Sequence, residues 1–180
     1  MEYETLSESM IQDRKDDLIR FFMKLDIERK TLFKEEFSEE EYPETIKLLI
    51  NSSLVIVTAV NNSEIIGIAG VNRPYKSGIN KIIPFVRGFI AVLSSFQGRG
   101  IGSQLSQIRN QYMEKIPVFH ISIILKQNYP MIRVVQKLGY IRFHQNNEYI
   151  FHFKTFHKYL APFSFLFYIL FKIIYRKRFP

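Results

Sequence analysis

The chain has 180 residues with 17 acids and 25 bases, a formal net charge of +8, and that length fits one domain able to bury its own core without staples. It has no cysteine, which excludes a disulfide framework, thiolate metal ligands and a cysteine nucleophile and fits a reducing compartment, so the cytoplasm is the expected setting. Residues 1–44 hold 14 acids and 7 bases, leaving 3 acids and 18 bases beyond them; a body so basic suits anionic partners such as phosphates, an acidic carrier protein, nucleic acid or membrane lipid.

The first 17 residues carry acids where a secretory signal needs a basic start and an apolar run, so no export signal is expected. A helix is predicted over residues 16–24, where Leu18, Ile19, Phe21, Phe22 and Met23 cluster, with Leu25 and Ile27 extending it. A second is predicted from Ser38, because Ser38-Glu39-Glu40-Glu41 has the form of a capping box ahead of Ile46, Leu48, Leu49 and Ile50. The acids of residues 35–44 complement that helix dipole, and they would also attract a cationic amine.

Two β-branched runs, 54–60 and 65–71, flank Asn61-Asn62-Ser63 and read as a hairpin. Residues 82–93 form a further apolar strand interrupted by Pro84 and Gly88, which suggests an edge position or a bulge. A helix over 101–115, a strand over 118–125, a helix over 129–138 and strands over 140–143 and 148–153 complete the pattern. The fold class is α/β (α+β): a mixed, mostly antiparallel sheet with helices on both faces.

The stretch with most chemical information is Gln97-Gly98-Arg99-Gly100-Ile101-Gly102, where a strand runs straight into a helix start. Three alternating glycines let the backbone approach a ligand, and a helix N-terminus offers unpaired amides and a partial positive charge, as a pyrophosphate requires. Arg99 adds a cation. A tight turn with no ligand is the bland alternative, although glycines placed this way cost helix stability. A Rossmann fingerprint would need glycine or alanine where Ser103 stands and an acid about 20 residues on, and nothing spells a P-loop.

These residues resemble the motif Q/R-x-x-G-x-G/A of the GNAT acyltransferase superfamily, matched by Gln97, Gly100 and Gly102. A second block agrees: Asn128 stands 11 positions before Gly139, in a segment similar to the family's N-x-x-A-x-x-x-Y-x-x-x-G-F. The resemblance covers about residues 50–155 and implies a GNAT acyltransferase domain over 1–155 with a tail over 156–180. It implies that amides of Gln97, Gly98, Arg99, Gly100, Ile101 and Gly102 hold the pyrophosphate of acetyl-CoA. It also implies that Ile90, Ala91 and Val92 lie along the pantetheine and offer an amide to the thioester carbonyl, with Asn128 on the cofactor side and no metal. The acceptor would be a small-molecule or peptide amine.

Where the family often has a tyrosine acid this chain has Val135, and where it often has a strand glutamate there is Ile123. Neither moves a proton. His120, Tyr140, Tyr129 and Glu64 are the remaining candidates for proton work, and the family pattern places a phenylalanine at the position of Tyr140. A CoA-binding sensor without turnover is the rival reading. No nucleic-acid-binding signature is present.

The tail is apolar and aromatic from 159 to 171, then carries Lys172 and Arg176-Lys177-Arg178, and no acid follows Glu148. It is short for a membrane span and contains Pro162. Residues 159–178 therefore either lie on a membrane surface, at the inner face, or pack on their own domain or on a second subunit of a homodimer.

Overall fold

The computed structural model describes residues 1–28, 42–72, 85–155 and 160–178. In chain order the elements are β1 (Glu2–Leu6), α1 (Glu8–Asp13), α2 (Lys15–Glu28), α3 (Tyr42–Asn51), β2 (Ser53–Asn61), β3 (Glu64–Asn72), β4 (Phe85–Val92), α4 (Ile101–Met113), β5 (Phe119–Leu125), α5 (Tyr129–Lys137), β6 (Ile141–Gln145), β7 (Tyr149–Thr155) and α6 (Ser164–Arg178). The strands form one seven-stranded sheet in the order β1-β2-β3-β4-β5-β7-β6. β4 and β5 pair in parallel, whereas β1–β2, β2–β3, β5–β7 and β6–β7 pair antiparallel.

Contacts divide the chain into two compact units, one of residues 1–73 and 89–109, the other of 74–88 and 110–180. In the first, α2 buries Leu18, Phe21, Phe22 and Leu25, spaced as one stripe of a 3.6-residue repeat, and α3 buries Ile46 and Ile50. These join Ile56, Val57, Ile66, Ile68 and Leu105 in one apolar cluster. The β2–β3 hairpin turns through Asn62 and Ser63 with φ of 50° and 64°, positive at both central residues as the twist of a two-residue hairpin demands.

In the second unit, neighbouring residues of β5 point to opposite faces. Phe119 and Ile121 pack with Phe151, Phe153 and Phe171, the last from α6. Ile124, on the other face, packs with Val135 of α5 and with Tyr140. Helices therefore cover both faces of this half of the sheet.

Two differences from the sequence reading have physical causes. β4 is not an edge strand, since it stands between β3 and β5. Pro84 precedes its first residue and lies outside the described residues, so no ladder donor within β4 is lost. The cap at Ser38 also lies outside the described residues. β1 and α1 were not foreseen: β1 holds acidic residues at alternate positions and is only partly buried, so composition hid a strand held by ladder bonds to β2.

Candidate functional site

The glycine turn lies wholly within the first unit. β4 ends at Val92, and the Leu93 N–H donates to the Ile66 carbonyl at 2.9 Å, which fixes the strand end against β3. A single 3-10 turn, Ser94–Phe96, reverses the chain. The Gln97 side-chain amide then donates back to the Val92 carbonyl at 2.9 Å, tying the turn to the strand it leaves. Gln97 thus braces the loop backbone.

Gly98 and Gly100 have φ of +76° and +79°, left-handed conformations that other residues adopt only with strain of about 1–3 kcal/mol. A Cβ built on either meets nothing within 4 Å, so the space in front of both is open. The Gln104 N–H donates to the Gly100 carbonyl at 3.1 Å, the first bond of α4. The amides of Ile101, Gly102 and Ser103 are consequently the ones that helix geometry leaves without an intrahelical acceptor. Ile101 and Leu105 are buried and anchor the helix start, while a Cβ on Gly102 would lie 3.6 Å from the Ile90 side chain. Arg99 is exposed, donates to the Ser95 carbonyl at 3.1 Å and stands 5.3 Å over the Phe96 ring. Backbone donors, a dipole end and one cation thus gather on a cradle that side chains would fill, which fits a diphosphate.

Ile90 and Ala91 are half-buried and Val92 is buried. The β4–β5 ladder pairs Phe85, Val86 and Arg87 with Phe119, His120 and Ile121.

Of the proton-transfer candidates, His120 and Tyr140 are brought together: the His120 Nδ1 and the Tyr140 hydroxyl share a hydrogen bond, and the rings meet edge-on at 5.4 Å. Both are buried. Tyr129 is exposed on the first turn of α5. Glu64 is paired with the Lys24 ammonium at 2.5 Å and lines a cavity of about 560 Å³ together with Asp17 and Arg20. Val135 is fully buried and Ile123 half-buried, so both perform packing. Asn128 is the N-cap of α5, its Oδ1 accepting from the Met131 N–H at 3.2 Å.

Polar residues that the sequence reading passed over also lie inside the second unit. His152, between Phe151 and Phe153 on β7, is 1% exposed, and burial, followed by the charge of Arg142, pushes its pKa down to about 4. Opposite it in the ladder is Ser122, and beside that pair His120 faces Lys154, whose pKa burial also lowers. Alternation was the available signal, since the apolar positions of 119–125 and 149–155 leave these polar residues together on the other face. Among the described residues no group of three or more His, Asp or Glu gathers as a metal site.

The geometry can be set against known proteins. The family model described as the acetyltransferase (GNAT) family matches residues 19–140. Solved structures with the same fold include yncA of Salmonella typhimurium, which holds its cofactor acetyl-CoA, at 13% identity and TM-score 0.60, covering 87% of this chain and 94% of that one. A ribosomal-protein-alanine N-acetyltransferase of Brucella melitensis aligns at 15% identity and TM-score 0.60, covering 86% and 99% of the two chains. An N-acetyltransferase of Staphylococcus aureus aligns at 14% identity and TM-score 0.59, covering 87% and 99%. No curated protein sequence matches at a significant level. With the mixed sheet, the glycine turn at the head of α4 and a family match over more than half of its length, the chain belongs to the GNAT acetyltransferase family.

Proposed function

We propose that this chain is an acetyl-CoA-dependent N-acetyltransferase that passes the acetyl group directly to an amine acceptor. The observation that carries the reading is the open, left-handed backbone at Gly98 and Gly100, at the head of α4, where helix geometry leaves the first amides without an intrahelical acceptor. Those amides and Arg99 hold the diphosphate of the donor, and the backbone of Ile90, Ala91 and Val92 aligns its pantetheine and offers a donor to the thioester oxygen. The acceptor nitrogen attacks the thioester carbon, the carbon–sulfur bond breaks, the thiolate takes a proton from water and the nitrogen loses one.

With Val135 and Ile123 unable to move protons, acceleration comes from orientation and from the amide at the developing oxyanion. A CoA thiolate, with a pKa near about 8.5, leaves without a dedicated acid. Asn128 serves the donor side through the helix it caps. Use of acetyl-CoA and a chain without cysteine support the cytoplasm as the working compartment.

Calorimetry with acetyl-CoA, on the parent and on Gly100→Glu, tests the donor site: uptake of equal strength by a folded variant would sink it. The second reading, a CoA-thioester sensor, is favoured by the buried Val135. Release of free thiol with a panel of primary amines and N-terminal peptides separates the two, since binding without any release supports the sensor.

A further inference from the structure

The inward side of α6 is already satisfied. Phe167 and Phe171 pack against Phe119, their rings 4.0 and 6.3 Å from it, and Phe171 also meets Phe143 and Phe153 at 5.6 and 5.9 Å. Burial of that side is sufficient to hold the helix on its unit, so polar residues would be the ordinary choice for the other side.

The other side is apolar. Phe165, Leu166, Ile169 and Ile173 fall within about 100° of one another at 100° per residue, and their exposure runs from 40% at Ile169 to 73% at Phe165. Phe163, in the 3-10 turn that precedes the helix, is also exposed. Lys172 borders the same arc and is exposed. The whole helix carries four cations and no acid.

We propose that this outward face of α6 docks on an anionic lipid surface, with the apolar arc entering the headgroup boundary and the basic end held by lipid phosphates. Length excludes a span: 15 residues reach about 22 Å, short of a hydrocarbon core of about 30 Å. Among the described residues no helix is long and apolar enough to cross a membrane. Charge selects among occupants. Beyond residue 44 the chain holds 18 bases and 3 acids, so a second copy would meet like charge there, whereas an anionic surface complements it, each cation near the surface being worth about 1 kcal/mol, or roughly five-fold in partitioning. Docking does not depend on which amine the protein acetylates or on whether it turns over at all.

The test is flotation of the full chain with vesicles of phosphatidylcholine alone and with about one third phosphatidylglycerol. The chain should float with the anionic vesicles and largely not with the neutral ones, and salt of roughly 0.5 M should weaken the effect. Phe165→Ser with Leu166→Ser and Ile169→Ser, all at exposed positions, should reduce flotation at least about ten-fold while leaving the melting temperature close to that of the parent. Lys172→Glu should reduce it by at least five-fold. Three results would each overturn the proposal: no binding to the anionic vesicles, binding that the triple variant retains, or sedimentation showing a dimer that the triple variant converts to monomer.

Discussion

His152 makes stability depend on pH in a way that can be worked from its surroundings. It is 1% exposed on β7, its Nδ1 has no hydrogen-bond partner, and burial first and Arg142 second lower its pKa from 6.5 to about 4. For a base held neutral in the fold, the unfolded chain binds the extra proton between those two values, so stability is full above about pH 6.5 and falls as the pH drops toward about 4. At about pH 5 the linkage amounts to about 2 kcal/mol, and because the Arg142 contribution reaches an exposed side chain and is screened, about 1–2 kcal/mol is the expected loss. His152→Leu, similar in volume and without a charge to acquire, removes this dependence. The assay is urea unfolding of parent and variant at about pH 7.5 and pH 5, where the change between the two pH values should be smaller in the variant by that amount. Equal changes in both proteins, or an NMR titration of His152 with a midpoint near about 6.5, would refute the reasoning.

Gly100→Glu should weaken acetyl-CoA binding by roughly 100-fold or more, because it sets a carboxylate against the diphosphate, and should cost about 1–3 kcal/mol of stability through its positive φ; calorimetry and thermal melts read the two separately. Phe171→Ala should destabilise by about 3–5 kcal/mol, read as a lowered urea midpoint, since Phe171 touches Phe85, Phe119, Phe143 and Phe153. Asn128→Ala should cost about 1 kcal/mol through loss of the α5 cap, and the acetyl-CoA affinity of the folded variant reports how much more that residue does.

Which parts of this fold could be read in the sequence follows from where its signals are local. The β2–β3 hairpin was legible because β-branched runs and Asn62-Ser63 specify strands and turn within a few residues, and α4 because the glycines mark its start. α2 showed its stripe. β1 was not legible, since Glu2-Tyr3-Glu4-Thr5-Leu6 alternates over only five residues and two of them are acids, too short a signal until β2, some fifty residues on, supplies a ladder. The same distance problem hid the place of β4: Pro84 and Gly88 are locally disruptive, and only the pairing of Phe85, Val86 and Arg87 with β5 on one side and the order of strands on the other show an interior position.

At the candidate site the split is sharper, and it bears on mechanism. The proposed donor site is a backbone feature, written in glycines and therefore visible in a single line of sequence. Acceptor recognition and proton transfer need side chains from separate elements to converge, and no local pattern announces that. The structure sets His120 and Tyr140 in a buried pair at the end of β5 where the ladder to β4 is closed, and it sets Glu64 in an ion pair on the hairpin. A base with such partners must first give them up to act. The simpler chemistry is an acceptor that arrives with its own lone pair or loses its proton to water, so the rate of acetylation should rise with pH along the amine's own titration. In His120→Gln and Tyr140→Phe variants that slope should be unchanged, and a profile that shifts in either variant would assign the proton to the buried pair instead.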